Sequence, residues 1–197
     1  MYTAAAMQQF NISVIALLVA AFVFVEKGKS HWATLFIMIG TLTKLYGIVG
    51  LAFFFFAKDK GRFVWSGLLW AALLFCLPML YSSPEYVLSQ YHDWYVSLSE
   101  KNGENMDTSH YNLQNLSLLG FLQRTGLYNN NLIVISIALV LFALPYLRIG
   151  QYQHLRFRLM FLASVSMFLC LFSTGTENST YIIAYVGIGL WFMASPN

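Results

Sequence analysis

Apolar residues in this chain occur in long runs separated by short polar segments. The runs are Ala4–Val25, Trp32–Ala57, Phe63–Tyr81, Leu132–Leu147, Leu159–Phe172 and Tyr181–Ala194. Strands of a membrane barrel alternate apolar and polar positions, so consecutive apolar positions predict helices instead. A membrane span needs about 20 residues, or as few as roughly 17. The runs predict an all-α, polytopic membrane fold, in which flanking polar residues or helix packing supply the depth that shorter runs lack.

Composition indicates the same class of protein. The 197-residue chain is 58% apolar and only 10% charged, with a mean hydropathy of +0.62. A soluble domain carries about 25% charged residues, and so low a content cannot cover a water-facing surface. The apolar content also excludes disorder, and a formal charge of +3 scattered along the chain does not favour nucleic acid. We expect residues 1–197 to form a single integral-membrane domain.

The charge of the connecting segments predicts their side of the membrane. Segments 26–31, 58–62 and 148–158 carry net charges of +1, +2 and +3. Segment 82–131 has five acidic and two basic residues, a net charge of −3, and segment 173–180 has a single acidic residue. Because cytoplasmic loops are enriched in lysine and arginine, the first three segments are expected inside and the last two outside.

This orientation places both ends of the run Trp32–Ala57 on the cytoplasmic side. As one helix its 26 residues would measure about 39 Å, too short for two full spans of a bilayer. The run is therefore predicted to be a short helical hairpin that enters the membrane and returns. Its turn is expected around Gly40–Gly47, and Lys44 lies at that turn.

The outer segment begins with the signals of an amphipathic helix. Ser83 can cap this helix, with Pro84 at its first position and Glu85 in its first turn. One face then carries aliphatic and aromatic residues, which are Val87, Leu88, Tyr91, Trp94, Tyr95 and Leu98. Such a helix is expected to lie along the outer membrane surface. Residues 101–112 are predicted to form a mobile polar loop, and Leu113–Leu122, too short to cross, to dip back toward the membrane.

The predicted orientation also places Met1 outside. No basic residue precedes the first run, and Lys27 and Lys29 follow it, so the run does not have the pattern of a signal peptide. An outside start without a signal leads us to expect further helices upstream, and the end at residue 197 is equally abrupt. The chain is therefore expected to be a fragment of a longer protein.

Lys44 is the most informative residue of the sequence for function. It lies among aliphatic residues and one tyrosine, where an unpaired ammonium costs several kcal/mol. One interpretation is snorkelling to water or an internal ion pair, although no acidic residue lies in the same run. The other is an anion site at membrane depth, most simply for a lipid phosphate.

Three further polar clusters are expected on the same outer side. They contribute Gln9 and Asn11 at the start of the first run, Gln114, Asn115 and Arg124 in the dipping segment, and Glu177 in the last outer turn. Amides can hydrogen-bond a sugar, and the planar fork of arginine suits phosphate. Taken singly, each cluster has an ordinary alternative: helix capping, a solvated arginine or a plain loop. Together they suit a lipid-linked sugar or a similar amphiphile.

Metal and cofactor chemistry has no support in the sequence. The four histidines, His31, His92, His110 and His154, are dispersed and lack the spacing of metal ligands. The chain also lacks a glycine-rich phosphate loop and a nucleophile elbow. We therefore predict that it uses no metal and no cofactor.

Several collinear stretches resemble a known family. They are Gln8-Gln9-Phe10-Asn11, Gly40-Thr41-Leu42-Thr43-Lys44-Leu45-Tyr46, Tyr91-His92-Asp93-Trp94-Tyr95, Phe142-Ala143-Leu144-Pro145-Tyr146-Leu147-Arg148, Leu171-Phe172-Ser173 and the segment from Glu177 to Tyr185. Asn115-Leu116-Ser117-Leu118 is similar to an Asn-Gln-Ser-Leu segment of that family, with Leu116 in place of the glutamine. In these stretches the chain resembles the C-terminal half of glycosyltransferase family 87, also known as domain of unknown function 2029, especially members from Bacteroides-like bacteria.

The resemblance implies an all-helical fold of the glycosyltransferase C superfamily. It also implies transfer of a sugar, typically mannose, from polyprenyl phosphate to an acceptor on the outer face of the bacterial cytoplasmic membrane. Members of the superfamily carry a lysine in a comparable hairpin near the donor phosphate, which implies that role for Lys44. Their catalytic base is an acidic residue of the first outer loop, expected upstream of Met1. The base is therefore unknown here, with Asp93 and Glu177 as weak substitutes.

The leading hypothesis is thus a membrane glycosyltransferase that uses a polyprenyl-phosphate sugar among the membrane lipids. Its residues would divide into phosphate-binding Lys44 and Arg124 and the sugar- or acceptor-binding set Gln9, Asn11, Gln114, Asn115 and Glu177. The acceptor would be a glycan or a lipid. The alternative is a non-enzymatic component that binds or translocates lipid-linked glycans, which the absence of polar clusters through the membrane disfavours. An inactive fragment is a third possibility.

Overall fold

The computed structural model describes residues 9–106, 115–127 and 130–195, and every regular element in these ranges is helical. The α-helices are α1 (Asn11–Glu26), α2 (Ser30–Thr43), α3 (Lys60–Cys76), α4 (Pro84–Met106), α5 (Leu118–Arg124), α6 (Asn131–Ala143), α7 (Leu155–Phe172) and α8 (Tyr181–Ala194). A 3₁₀ helix, Leu45–Phe56, follows α2, and shorter 3₁₀ turns extend α3 to Leu80 and α6 to Leu147. The prediction of an all-α fold is confirmed for these residues.

Two of the described helices are long and apolar enough to cross a membrane. They are Lys60–Leu80, with 21 residues, and Leu155–Phe172, with 18. The apolar helices Asn11–Glu26, Asn131–Leu147 and Tyr181–Ala194 are shorter, at 10–17 residues. The two long helices support a membrane protein, while a larger number of crossings stays a prediction.

The predicted hairpin is present, with Lys44 between its two arms. The first arm, α2, has 14 residues and a length of about 21 Å, while the second, Leu45–Phe56, has 12 residues in a 3₁₀ helix. Because a 3₁₀ helix rises about 2.0 Å per residue, the second arm measures about 24 Å and matches the first. The Ser30 hydroxyl donates to the Asp59 carbonyl at 3.5 Å, so the two open ends of the hairpin meet.

A close backbone crossing fixes the turn of the hairpin. A Cβ atom added at Gly47 would lie 2.3 Å from the carbonyl carbon of Gly40 and 2.3 Å from the amide nitrogen of Thr41. Only glycine therefore allows the two arms to approach so closely at this position. The crossing restricts the backbone of the residues between Gly40 and Gly47, including Lys44.

The hydrophobic core is centred on α1. Buried residues occur on each of its turns, and they are Val14, Ile15, Leu18, Ala21, Phe22 and Val25. Phe22 packs edge-on against Phe53 of the second hairpin arm, with ring centroids 5.4 Å apart. Residues of α7 and α8, including Leu162 and Ile183, complete the core. The hairpin and the last two helices are thus held around a shared central helix.

The two ends of this bundle differ in charge. At one end Arg158 donates from Nε and Nη2 to the two carboxylate oxygens of Glu26, both at 2.6 Å. These contacts and the contact between Ser30 and Asp59 gather the three basic segments at one end. Asn11, Lys44 and the turn 173–180 lie at the opposite end. The grouping predicted from charge is therefore observed, and the membrane side that each end faces stays a prediction.

Helix α4 corrects one expectation. The loop predicted for residues 101–112 is wrong in its first half, because α4 continues to Met106, and residues 107–112 lie outside the described ranges. No proline interrupts this stretch, and a single Gly103 costs a helix only about 1 kcal/mol. The predicted start is confirmed, since the Tyr86 amide donates to the Ser83 hydroxyl at 3.3 Å. Tyr91 stacks on Phe75 at 4.3 Å, which docks α4 on the end of α3.

Substitution Gly47→Ala is expected to destabilise the hairpin. The added methyl group would overlap the Gly40 backbone, and overpacking of this kind costs about 1–3 kcal/mol. The thermal midpoint of the purified protein in detergent should therefore fall. Gly189→Ala is the matched control, because a Cβ atom there meets no atom within 4 Å. An unchanged midpoint for Gly47→Ala would contradict the close crossing.

The ion pair between Glu26 and Arg158 should contribute more to stability than the exposed pair between Asp59 and Arg62. The side chains of Glu26 and Arg158 are 20% and 17% exposed. Those of Asp59 and Arg62 are 55% and 69% exposed. Arg158→Met would leave a half-buried carboxylate without its partner and lower the free energy of unfolding by about 1–3 kcal/mol. Arg62→Met should change it by less than about 1 kcal/mol. Chemical denaturation of the two variants distinguishes these expectations.

Candidate functional site

The Lys44 ammonium is held by a buried asparagine from another helix. Its Nζ donates to Oδ1 of Asn11 at 2.7 Å, and Asn11, the first residue of α1, is fully buried. The same Nζ lies 4.9 Å from the centre of the Tyr46 ring, within the range of a cation–π interaction. Lys44 forms no ion pair with any of the described residues. A neutral amide and an aromatic face therefore replace the ion pair considered from the sequence.

A chain of hydrogen bonds continues from Asn11 to a carboxylate. Nδ2 of Asn11 donates to Oε1 of Gln9 at 2.8 Å and to the Ser179 hydroxyl at 3.3 Å. The Ser179 hydroxyl donates to the same Gln9 oxygen at 2.6 Å, and Nε2 of Gln9 donates to Oε2 of Glu177 at 3.0 Å. Residues from the hairpin turn, the start of α1 and the turn before α8 thus form one polar cluster, which we call the Lys44–Glu177 cluster.

Hydrogen bonds between side chains and backbone hold the turn between α7 and α8 in place. The Thr176 hydroxyl donates to the Cys170 carbonyl at 2.9 Å, and the Glu177 amide donates to the Thr180 hydroxyl at 3.3 Å. Tyr46 of the hairpin arm also reaches this turn, where its hydroxyl donates to the Gly175 carbonyl at 2.9 Å. Glu177 is therefore presented by an ordered turn.

Asn115 and Arg124 form a second cluster beside the same turn. The Nη1 atom of Arg124 donates to the Asn115 carbonyl at 2.7 Å, which closes the segment around α5. The Leu116 amide donates to the Thr176 carbonyl at 2.7 Å and joins this segment to the turn. No hydrogen bond or ion pair within the described ranges connects Arg124 to Lys44. The two predicted phosphate ligands therefore lie in neighbouring clusters.

Other predicted residues have different outcomes. Gln114 lies outside the described residues. Asn115 is 2% exposed and Asn11 is fully buried, so the side chains of both position their neighbours and are not open to a sugar. Asp93 is exposed on α4, where it accepts from Gln90 at 3.4 Å, and it does not belong to the Lys44–Glu177 cluster.

The Lys44 ammonium has hydrogen-bond donors that the protein does not use. The residue lies partly exposed in the turn of the hairpin. An ammonium group has three N–H donors, and the bond to Asn11 uses one of them. An anion bound at the remaining donors would favour the charged form. The geometry therefore suits an anionic ligand.

Two contributors to the cluster are not assigned a binding role by the sequence. Ser179 completes the hydrogen bonds of Gln9 and Asn11, and Tyr46 contacts both Lys44 and the turn before α8. Tyr46 follows Lys44 by two positions, but nothing in the local sequence distinguishes it from the other aromatic residues of the same apolar run. Contacts between distant segments, which are needed to identify both residues, are not encoded in local patterns.

A comparison with known families identifies the class of protein to which the chain belongs. The family model of Glycosyltransferase family 87 matches residues 1–174. The chain belongs to glycosyltransferase family 87. The match includes Gln9, Asn11, Lys44, Asn115 and Arg124, and Glu177 follows its end by three positions. No curated protein and no solved structure matches the chain.

Family 87 membership gives the polar cluster a chemical context. A glycosyltransferase needs a sugar donor and an acceptor, and the cluster offers a cation, a carboxylate and an amide side by side. Glu177 and Gln9 are partly exposed, as is Lys44, so all three can contact a bound molecule. The buried Asn11 and Ser179 lie behind them and hold their orientation.

Asn11→Ala should lower the thermal stability of this family 87 protein by more than the loss of side-chain volume alone would. The substitution leaves Lys44 and Ser179 without their shared partner, and an unsatisfied buried polar group costs about 1–3 kcal/mol. We expect a lower thermal midpoint in detergent. Asn178→Ala, an exposed asparagine one residue before Ser179, is the matched control and should leave the midpoint unchanged. Equal midpoints for the two variants would refute a supporting role for Asn11.

Proposed function

We propose that this protein transfers a hexose, mannose, from a polyprenyl-phosphate sugar to a glycan or lipid acceptor at the outer face of the bacterial cytoplasmic membrane. The observation that carries the proposal is the chain of hydrogen bonds from Lys44 through Asn11 and Gln9 to Glu177. This chain brings an ammonium group, a carboxylate and an amide together in one partly exposed cluster, and these groups are suited to a phosphate and to sugar hydroxyls. Membership in glycosyltransferase family 87 supports the reaction class.

Lys44 has the properties required of a ligand for the donor phosphate. When the acceptor oxygen attacks the anomeric carbon, the bond from that carbon to the phosphate oxygen breaks, and negative charge develops on the leaving polyprenyl phosphate. A pre-oriented ammonium group in partly apolar surroundings stabilises that charge more than water does. The bond to Asn11 holds Nζ in position before the donor arrives. Arg124, from the neighbouring cluster, supplies a second cation for the phosphate.

Glu177 and Gln9 are the residues proposed to contact the sugar or the acceptor. Nε2 of Gln9 binds one carboxylate oxygen of Glu177, and the lone pairs that this bond leaves free can accept hydrogen bonds from hydroxyl groups. Asn11, Ser179 and Asn115 contribute by orientation, because their side chains are buried. Fixing the donor against its phosphate ligand in this way lowers the entropic cost of the displacement.

The apolar part of the donor has a complementary surface next to the hairpin. A groove of about 420 Å³ lies between the second hairpin arm and α3. Its lining is apolar throughout, consisting of Met38, Leu51, Phe54, Phe55, Phe63, Val64, Gly67, Leu68 and Ala71. Isoprene units gain free energy when they leave water for such a surface. We assign this groove to part of the polyprenyl chain.

Lys44→Ala tests the phosphate role directly. The variant should bind a radiolabelled polyprenyl-phosphate mannose about ten- to a hundredfold more weakly, the range expected when a charged hydrogen bond is lost. Lys60→Ala is the matched control, because it also removes one lysine charge, is exposed and lies at the opposite end of the bundle. Binding is measured on purified protein in detergent micelles.

Two outcomes would change the proposal. Equal donor affinities for Lys44→Ala and the unsubstituted protein would remove Lys44 from the donor site. Binding of the donor without transfer of the labelled sugar to any membrane acceptor would favour a component that binds or translocates lipid-linked glycans.

A further inference from the structure

Tyr46 contacts Lys44 with its ring and, with its hydroxyl, the turn that carries Glu177. Its ring lies under the Lys44 ammonium, with 4.9 Å from Nζ to the ring centre. Its hydroxyl donates to the carbonyl of Gly175, two residues before Glu177, at 2.9 Å. The Ser173 hydroxyl donates to the same Tyr46 oxygen at 3.1 Å. One rigid side chain therefore joins the hairpin turn to the turn that carries Glu177.

The fit at the hydroxyl end is close. A Cβ atom added at Gly175 would lie 3.0 Å from the Tyr46 oxygen, so a glycine at this position admits the tyrosine. The oxygen is bonded on two sides, as a donor to Gly175 and as an acceptor from Ser173. Because the ring is rigid, a fixed hydroxyl also fixes the position of the ring face beneath Lys44. The tyrosine thus has a defined length and a defined place.

The charges themselves favour a different arrangement. Lys44 and Glu177 belong to one hydrogen-bonded cluster but form no ion pair, since no nitrogen–oxygen distance between them is 4.0 Å or less. Two partly buried opposite charges in the same cluster attract each other strongly when water is excluded. Direct contact would place the carboxylate on the same N–H donors that an anionic ligand needs. The Lys44 donors therefore stay available to an anionic ligand only if another part of the protein keeps the ammonium group and the carboxylate apart.

We propose that Tyr46 is a positioning residue that keeps Lys44 and Glu177 from forming a salt bridge and so leaves the Lys44 ammonium free for the donor phosphate. This inference rests on the proposed function, which assigns the phosphate to Lys44. Tyr46 sets the spacing from one side, while the hydrogen bonds through Asn11 and Gln9 set it from the other. The carboxylate then stays available for hydroxyl groups of the sugar.

A double-mutant cycle separates this role from a general loss of structure. Tyr46→Leu should raise the Kd for polyprenyl-phosphate mannose about tenfold, because Lys44 collapses onto Glu177. Glu177→Gln removes the competing charge, so Tyr46→Leu combined with Glu177→Gln should bind within about twofold of Glu177→Gln alone. Tyr46→Phe retains the ring but loses the hydroxyl that fixes it to Gly175, so its Kd should rise by about threefold, between the unsubstituted protein and Tyr46→Leu. If the effects of Tyr46→Leu and Glu177→Gln simply multiply, the proposal is overturned.

Tyr152→Leu is the matched control for loss of a tyrosine. Its hydroxyl donates to the Tyr146 carbonyl at 2.6 Å, and its ring packs edge-on against Phe56, the last residue of the same hairpin arm, with ring centroids 5.1 Å apart. Phe56 lies twelve residues beyond Lys44, or about 24 Å along a 3₁₀ helix. This variant should lower stability without changing the Kd of the donor. A donor Kd that rises equally in Tyr152→Leu and Tyr46→Leu would show that loose packing of the arm, and not the spacing of two charges, is responsible.

A measurement without the donor distinguishes failure of this inference from failure of the proposed function. Lysine amines are labelled with ¹³C-methyl groups, and the Lys44 signal is assigned from its loss in Lys44→Arg. The signal should shift in Tyr46→Leu and return toward its original position when Glu177→Gln is added. Such a result without donor binding to the unsubstituted protein would refute the phosphate role alone. Donor binding with a Lys44 signal that ignores Glu177→Gln in the Tyr46→Leu background would refute the role of Tyr46 alone.

Discussion

The hydrogen bond between Lys44 and Asn11 is the interaction on which the arrangement of the other segments depends. An uncompensated ammonium group among apolar residues costs several kcal/mol, so the chain has to bring polar groups to the turn of the hairpin. Asn11 meets this need at 2.7 Å, but an asparagine at the start of a core helix must itself be satisfied. Gln9 and Ser179 provide its remaining partners. The position of one lysine therefore determines how three distant segments meet.

Helix α1 transmits this requirement to the rest of the bundle. It has 16 residues and a length of about 24 Å, with Asn11 at one end and Glu26 at the other. Asn11 is bonded to the hairpin turn, while Glu26 is bonded to Arg158 at the start of α7. The central helix is thus anchored by polar contacts at both ends and by apolar packing between them. This arrangement restricts sliding of the hairpin against α7 and α8, and the hydrogen bonds of Tyr46 with Ser173 and Gly175 add to that restriction.

The sequence predicts the outline of the site because charge and length act over long ranges. A run of 26 residues with basic segments at both ends cannot cross twice, which is sufficient to predict the hairpin and the position of Lys44. The details depend on contacts that have no local signal. The 3₁₀ helix Leu45–Phe56 packs against α1 and α2, and Asn11 is buried among partners on other segments. Helix α4 continues through Gly103 to Met106, although the polar composition of this stretch predicts a loop.

The choice of neutral partners for Lys44 also has a consequence for binding. A salt bridge would have satisfied the ammonium group within the protein, and an anionic ligand would then have to displace the carboxylate. An amide oxygen and an aromatic face stabilise the charge less completely, and they leave N–H donors unused. Part of the desolvation cost of Lys44 is therefore not recovered until an anion arrives, and that unrecovered part adds to the affinity for the anion. The incomplete pairing of Lys44 therefore favours an anionic ligand, which is the property that the proposed function requires of this site.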